Sequence, residues 1–292
     1  MGRRYETVSL LTDYGLDDEF VGVVKSVIRE LAPHVTMVDL THGVRPFDVR
    51  AGSLALARAI PYVPDGVVVG VVDPGVGTSR KAIAVEVADG AGVLVGPDNG
   101  LLAPAVALAG GATRAVELDN SRYHLAAPGA TFAGRDVFGP AAAHLCNGVD
   151  LLDLGEEIDI DLLMPGVVPL PQIDDQLVIA QVLWIDTFGN AQLNVGPDDI
   201  PAGFGEQVAM RTSDPTDLSG GTTRSGKLVE SFAAIGVGAI GLVVDSSGLY
   251  AIAMDRRSAA EELGLGVGDQ VTLTADESGG PGATQRVTLR GH

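Results

Sequence analysis

The sequence predicts two domains of different class. Residues 1–165 read as an α/β domain with a mostly parallel sheet, and residues 177–292 as a smaller all-β, barrel-like domain, joined by a linker at 166–176. Three observations carry this. Strand-like and helix-like patterns alternate from residue 8 to about 165. The segment 165–176, PGVVPLPQIDDQ, then holds three of the chain's 16 prolines. Beyond it, short apolar runs are broken by Gly, Ser, Asp and Pro. The 292 residues, 46% hydrophobic and 20% charged, suffice for extensive cores and exclude a mostly disordered chain.

The first strand is Val8–Asp13, a short apolar run ending in a polar turn. Glu19–Leu31 places Phe20, Val23, Val24, Val27, Ile28 and Leu31 at helical spacing. Val35–Leu40 reads as a strand and Val49–Ile60 as a helix. Val67–Val72 is nearly continuous in β-branched residues, the mark of a strand covered on both faces. Ala82–Val87 and Gly92–Val95 flank an Asp-Gly turn. In the second half, strands are expected at Leu177–Ile185, Gln207–Thr212, Ala239–Val244, Leu249–Met254, Gln270–Thr274 and Arg286–Leu289. Ser258–Leu263 is the one helix expected there, and 213–227 reads as an exposed polar loop. No internal repeat is evident.

Charge and cysteine usage narrow the function classes. Thirty-eight Asp and Glu against 19 Lys and Arg give a net charge of -19, which disfavours nucleic acid and anionic membrane surfaces, since both need a basic face. A cationic ligand is easier to accept. The single cysteine, Cys146, allows no internal disulfide and sits in an apolar helix-like run. No apolar leader or membrane-length apolar stretch is present, so a soluble cytoplasmic protein is expected.

Ligands of α/β sheets bind beyond the carboxyl ends of the strands, and three polar segments fall there. Thr12–Phe20 carries Asp13, Asp17, Asp18 and Glu19. Asp17 and Glu19 suit helix capping, whereas Asp13, at a strand terminus, is placed to hold hydroxyls, an amine or a metal. Val72–Arg80 contains Asp73, Arg80 and the glycines Gly75 and Gly77, without a Gly-Lys-Ser/Thr phosphate loop. From spacing alone, Asp73 and Arg80 form an ion pair. Thr131–Asp136 suggests a cap and a second ion pair through Arg135 and Asp136. The histidines form no metal-ligand pattern, so no metal is expected. In the second domain, Asp186–Asn190 follows a strand, and Asp245–Gly248 suits a hairpin turn.

The order TDYGLDDEFVG, VVDPGVGTSR, GPDNGLL, TFAGRD, IDTFGN and DSSG, from about Val8 to Val271, resembles the S-adenosyl-L-methionine (SAM) hydroxide adenosyltransferases, relatives of fluorinase and chlorinase. The resemblance implies an N-terminal α/β domain, a C-terminal β-barrel and a homotrimer. Each ligand then lies between one subunit's N-terminal domain and the next subunit's C-terminal domain. It implies hydrolysis of SAM to adenosine and L-methionine with no cofactor. By the same resemblance Asp13 holds the ribose hydroxyls, and Phe132 lies beside them. Asp18 and Asp186 hold the methionine ammonium, with Ser246 near the amino-acid end. Asn190 pairs with adenine, while Phe47, Phe188 and Phe232 pack on the base or the thioether chain. Asp73 and Arg80 hold and activate water. The halide-using relatives carry Tyr at the position of Asp73, where a carboxylate would repel the nucleophile.

Two positions depart from that pattern. Ala133 stands where the family's water-activating set has His, with His124 a weak alternative nine positions earlier. Loss of a positioned acid or base lowers rate by roughly 10²–10⁴-fold, so slow turnover with retained binding is expected. A non-catalytic SAM or adenosine binder and a halide adenosyltransferase are the competing readings. Ala251 stands where relatives often carry Glu.

Overall fold

A computed structural model describes residue 2, residues 4–212 and residues 222–276. The chain divides into two compact units, Met1–Val168 and Pro169–His292.

The N-terminal unit is built on six strands: β1 (Thr7–Thr12), β2 (Thr36–Thr41), β3 (Gly66–Val71), β4 (Ala82–Val87), β5 (Gly92–Pro97) and β6 (Ala112–Glu117). They lie in the order β2-β1-β3-β5-β4-β6. The first four in that order are parallel, while β4 pairs antiparallel with β5 and β6. The sheet is therefore mixed. A tight turn around Asp89 and Gly90 cannot accommodate a parallel crossover, so β4 and β5 pair antiparallel.

Strand periodicity divides the sheet's two faces into two cores. Val67, Val69 and Val71 face one cluster, with Val8 and Leu10. Val68 and Val72 face the other, with Leu11. Helices α1 (Phe20–Leu31) and α4 (Gly139–Cys146) cover the first face through Val24, Ile28, Ala141 and Leu145. Helices α2 (Val49–Ala59) and α3 (Ala103–Leu108) cover the second through Leu56, Ala105 and Val106. All six residues of β3 are buried, as expected of a strand enclosed on both faces. Cys146 is buried in the first core, and its thiol pKa is pushed up to about 12 by burial.

The C-terminal unit contains β7 (Gln172–Ile173), β8 (Leu177–Ile185), β9 (Ala191–Leu193), β10 (Gln207–Thr212), β11 (Thr222–Val229), β12 (Ile240–Val244), β13 (Tyr250–Met254) and β14 (Gln270–Ala275). Pairing of β14 with β8 closes the order β14-β10-β11-β12-β13-β9-β8 into a seven-stranded barrel. Alternate residues, among them Val178, Ala180, Val182, Val208, Met210, Val271 and Leu273, fill its interior. The short helix α5 (Ala259–Leu263) starts at Ser258, whose side chain accepts from the Glu261 N–H at 3.0 Å.

Three expectations change. Residues 222–227, expected in a polar loop, belong to β11; the outer face of a barrel strand is polar, so composition alone does not mark it. Residues 213–221, the strand expected at Arg286–Leu289 and His292 lie outside the described residues. The proline-rich segment contains β7, whose two residues pair with β8. Finally, Glu19 makes no capping hydrogen bond at the start of α1.

Candidate active site

Strands β1 and β3 are adjacent and parallel, with Thr12 paired to Val71. From β1 the chain moves toward β2, and from β3 toward β4 and β5, on opposite sides. This is a topological switch point, where a crevice opens beyond the carboxyl ends of the strands. Asp13 follows β1 directly and Asp73 lies two residues past β3, so both carboxylates stand at that crevice.

The crevice has a volume of about 330 Å³. Of the residues singled out from sequence, Asp13, Asp18, Phe47, Asp73 and Phe132 line it, together with Ala133. Tyr14, Phe20, Pro46, Val71, Val76 and Thr131 complete the lining. Tyr14, Phe20 and Phe132 form a cluster of tilted and edge-on rings with centroids 5.1–5.8 Å apart. Tyr14 and Phe20 were not expected here, because Phe20 also fits the helical period of α1. An aromatic residue inside the first polar motif was the available signal.

Asp13 accepts the backbone N–H of Phe47 at 2.9 Å. Phe47 is 72% exposed and holds a left-handed backbone, φ 68°. Burial raises the Asp13 carboxyl above its usual range; the Phe47 N–H opposes the shift and the Asp73 charge adds to it. Beneath it, Thr12 Oγ1 accepts the Tyr14 N–H at 3.2 Å and lies 2.9 Å from His42 Nδ1. His42 Nε2 is 3.1 Å from Asp39, and the His42 carbonyl accepts the Gly15 N–H at 2.8 Å. His42, which sequence placed only in a loop, thus ties down the turn that carries Asp13 and Tyr14.

Asp73 and Arg80 form a two-point ion pair, Nε to Oδ1 at 3.0 Å and Nη2 to Oδ2. Their side chains are 5% and 12% exposed. The guanidinium lies 5.5 Å from the Phe138 ring, which is fully buried. Asn99, from the GPDNG segment, donates to the Val72 carbonyl at 2.9 Å and fixes the strand end before Asp73. Gly77 adopts φ +77°, and a Cβ there would come within 3.0 Å of the Ala130 carbonyl. On the far side, a π-helical turn, Gly134–Phe138, leads into α4. Arg135 pairs with Asp136 as expected and lies 5.1 Å from the Phe132 ring. Ala133 presents only a methyl group to the crevice. His124 lies in the loop after Ser121–Tyr123 and does not line it.

The C-terminal unit brings Phe188, Asn190 and Phe232 together in a separate hollow of about 640 Å³, with Met254, Arg256 and Ser258 among its walls. Asp186 does not line this hollow. Its Oδ1 accepts the N–H groups of Phe188 and Asn190, each at 2.9 Å, and its Oδ2 accepts the Asn190 amide at 2.8 Å. It therefore orients Asn190. Ser246 is exposed in the Asp245–Gly248 hairpin turn. Asn190 flanks the Ala191–Ile252 pairing, and Ser246 lies beyond Tyr250 at the opposite end of β13. Ala251 is buried in β13. Among the described residues, no group of three or more His, Cys, Asp or Glu is placed to hold a metal, and no helix is long and apolar enough to cross a membrane.

A carboxylate crevice at a sheet's switch point, on a chain that also carries a closed barrel, defines a two-domain α/β-plus-barrel protein with a candidate small-molecule site. Comparison with known proteins narrows this class. The SAM hydroxide adenosyltransferase N-terminal domain matches residues 8–155, and the C-terminal domain of the same family matches residues 180–272. The chain belongs to the SAM hydroxide adenosyltransferase family. It is 42% identical over 269 residues to the (R)-S-adenosyl-L-methionine hydrolase of Salinispora tropica, covering 92% of this chain and 97% of that one. The protein of the same name from Thermus thermophilus is 40% identical over 274 residues, 91% of this chain and 98% of its own. Proteins named fluorinase match at 24–27% identity. The crystal structure of an uncharacterized conserved protein from Thermotoga maritima superposes with a TM-score of 0.81 at 32% identity, covering 91% of this chain and 99% of that one.

Proposed function

We propose that this chain hydrolyses S-adenosyl-L-methionine to adenosine and L-methionine by in-line attack of water on C5′. The observation that carries the reading is the gathering of Asp13, Asp18, Asp73 and Phe132 in one crevice, with Arg80 locked onto Asp73. The hydrolase names of relatives at 40–42% identity support it.

The physical logic follows the charges. SAM carries a sulfonium, and attack at C5′ neutralises it as the C–S bond breaks. Asp13 holds the ribose hydroxyls, with Phe132 against the sugar. Asp18 attracts the methionine ammonium, with Ser246 at that end, while Asp186 orients Asn190. Phe188, Asn190 and Phe232 receive the adenine, and Phe47 covers the thioether chain. Fixing both ends of the ligand aligns C5′ with one water, and positioning of this kind can contribute about 7–11 kcal/mol. Asp73 accepts the proton that water loses, and Arg80 holds the carboxylate in register.

The chain forms a cytoplasmic homotrimer in which each ligand is shared by the N-terminal unit of one copy and the C-terminal unit of a neighbour. A halide adenosyltransferase is the weaker reading, because the Asp73 carboxylate would repel an anion in the crevice. Ala133 favours a second reading, a SAM-binding protein with little turnover. Incubation of the purified chain with SAM, followed by chromatography, separates the two. Adenosine and methionine accumulating in excess over enzyme support hydrolysis; intact SAM bound after hours with enzyme in excess refutes it.

A further inference from the structure

We propose that the Tyr14 hydroxyl donates a hydrogen bond to the attacking water and is the catalytic donor of this site. The proposal rests on the hydrolase reading above. Tyr14 lines the crevice with Asp13, Asp73 and Ala133. Its ring is gripped by Phe20 and Phe132, at 5.8 and 5.7 Å between centroids, which restricts the phenol to one direction. The oxygen lies against Gly134, where a Cβ would come within 2.4 Å of it. A phenol carries one O–H and can donate it to a neighbouring acceptor.

The rest of the crevice needs such a donor. Asp13, Asp18 and Asp73 are acceptors, and Arg80, with Nε and Nη2 turned to Asp73, is not among the residues that line the crevice. Ala133 offers no polar atom, and Thr131, the other hydroxyl of the lining, is exposed. A water that gives one proton toward Asp73 still carries two lone pairs. One attacks C5′, and the other requires a donor. Burial, with the Asp13 and Asp73 charges adding to it, raises the Tyr14 pKa and keeps the phenol protonated.

The step balances without proton transfer through Tyr14. The water oxygen bonds to C5′, the C5′–S bond breaks with its electron pair going to sulfur, and the water proton passes to Asp73 and then to solvent. The Tyr14 hydrogen bond occupies one lone pair of the water and turns the other toward C5′, so it acts by orienting the nucleophile.

The test uses the full chain and SAM. Tyr14→Phe keeps the ring and removes the donor. Its kcat should fall about 10²-fold, the loss that a misplaced reacting group can cause, with KM and the calorimetric Kd for SAM within a few-fold of wild type. Adding Ala133→His to Tyr14→Phe should restore part of the lost kcat, because it supplies a donor to the same water. An unchanged kcat, a loss confined to KM, or no recovery in the double variant would overturn the proposal. If the wild-type chain forms no adenosine, the hydrolase reading fails and the Tyr14 role falls with it. An active wild type with an unimpaired Tyr14→Phe variant removes the Tyr14 role alone.

Discussion

Asp73, the proposed proton acceptor, is fixed by a single ion pair. Arg80 grips it at two points, and the Phe138 ring supports the guanidinium. The Asp73→Asn variant keeps the shape and removes the proton acceptor. Turnover should fall by roughly 10²–10⁴-fold, while calorimetry should show SAM binding little changed; a loss confined to affinity would assign Asp73 to binding. Asp13 makes a different prediction. Its carboxyl titrates above the usual range mainly because burial disfavours the charge. The folded state then holds that proton more tightly than the unfolded state, so ionisation above the folded pKa lowers stability and protonation restores it. Asp13→Asn, which can still accept the Phe47 N–H, should raise Tm at pH 7. The gain should shrink as pH falls through the folded pKa toward the ordinary carboxyl value near about 4, and a gain independent of pH would refute the assignment. Asp13 was legible in the sequence because it directly follows an apolar strand; Asp73 read from spacing only as an ion pair with Arg80, and its place in the site came from the resemblance of the motif around it. Tyr14 and Phe20 were not legible, because an aromatic near a helix start reads equally well as core. The separation of Ser246 from Asn190 depends on strand register, which no local motif encodes.

At the scale of elements, glycines and caps set the geometry of the barrel hollow. Gly189 adopts φ +82°, and a Cβ there would approach the Ser258 hydroxyl to 2.1 Å. Its carbonyl accepts the Ala260 N–H at 2.9 Å, so the turn carrying Asn190 docks on the start of α5. Gly189→Ala should lower stability by about 1–3 kcal/mol from the left-handed backbone alone, with a further loss from the clash. Ser258→Ala removes a helix cap and should cost about 1 kcal/mol. Denaturant titration reads both, and a Gly189→Ala variant as stable as wild type would contradict the docking. The elements themselves were largely legible: β3 as a continuous β-branched run, α1 from its period, α5 from Ser258. What escaped was β11, whose outward residues are polar, together with α3, β6, β7 and β9, which are short.

For the whole molecule, two sheets of different class account for the two halves of the sequence. One is enclosed by helices on both faces and the other is closed on itself. The change of pattern after the prolines was readable because composition and period shift together. Assembly was not, because contacts between copies leave no period in the chain. The proposed homotrimer predicts about three times the 29.9 kDa chain mass in solution by light scattering, and a monomer that turns over SAM would contradict the shared site. In the proposed reaction a lone water in the Asp73 crevice attacks C5′ of SAM, and a single-turnover reaction in oxygen-18 water follows that oxygen. Mass spectrometry should find the label in the 5′-hydroxyl of adenosine and none in methionine. Unlabelled adenosine, or SAM recovered intact, would refute attack by water at C5′.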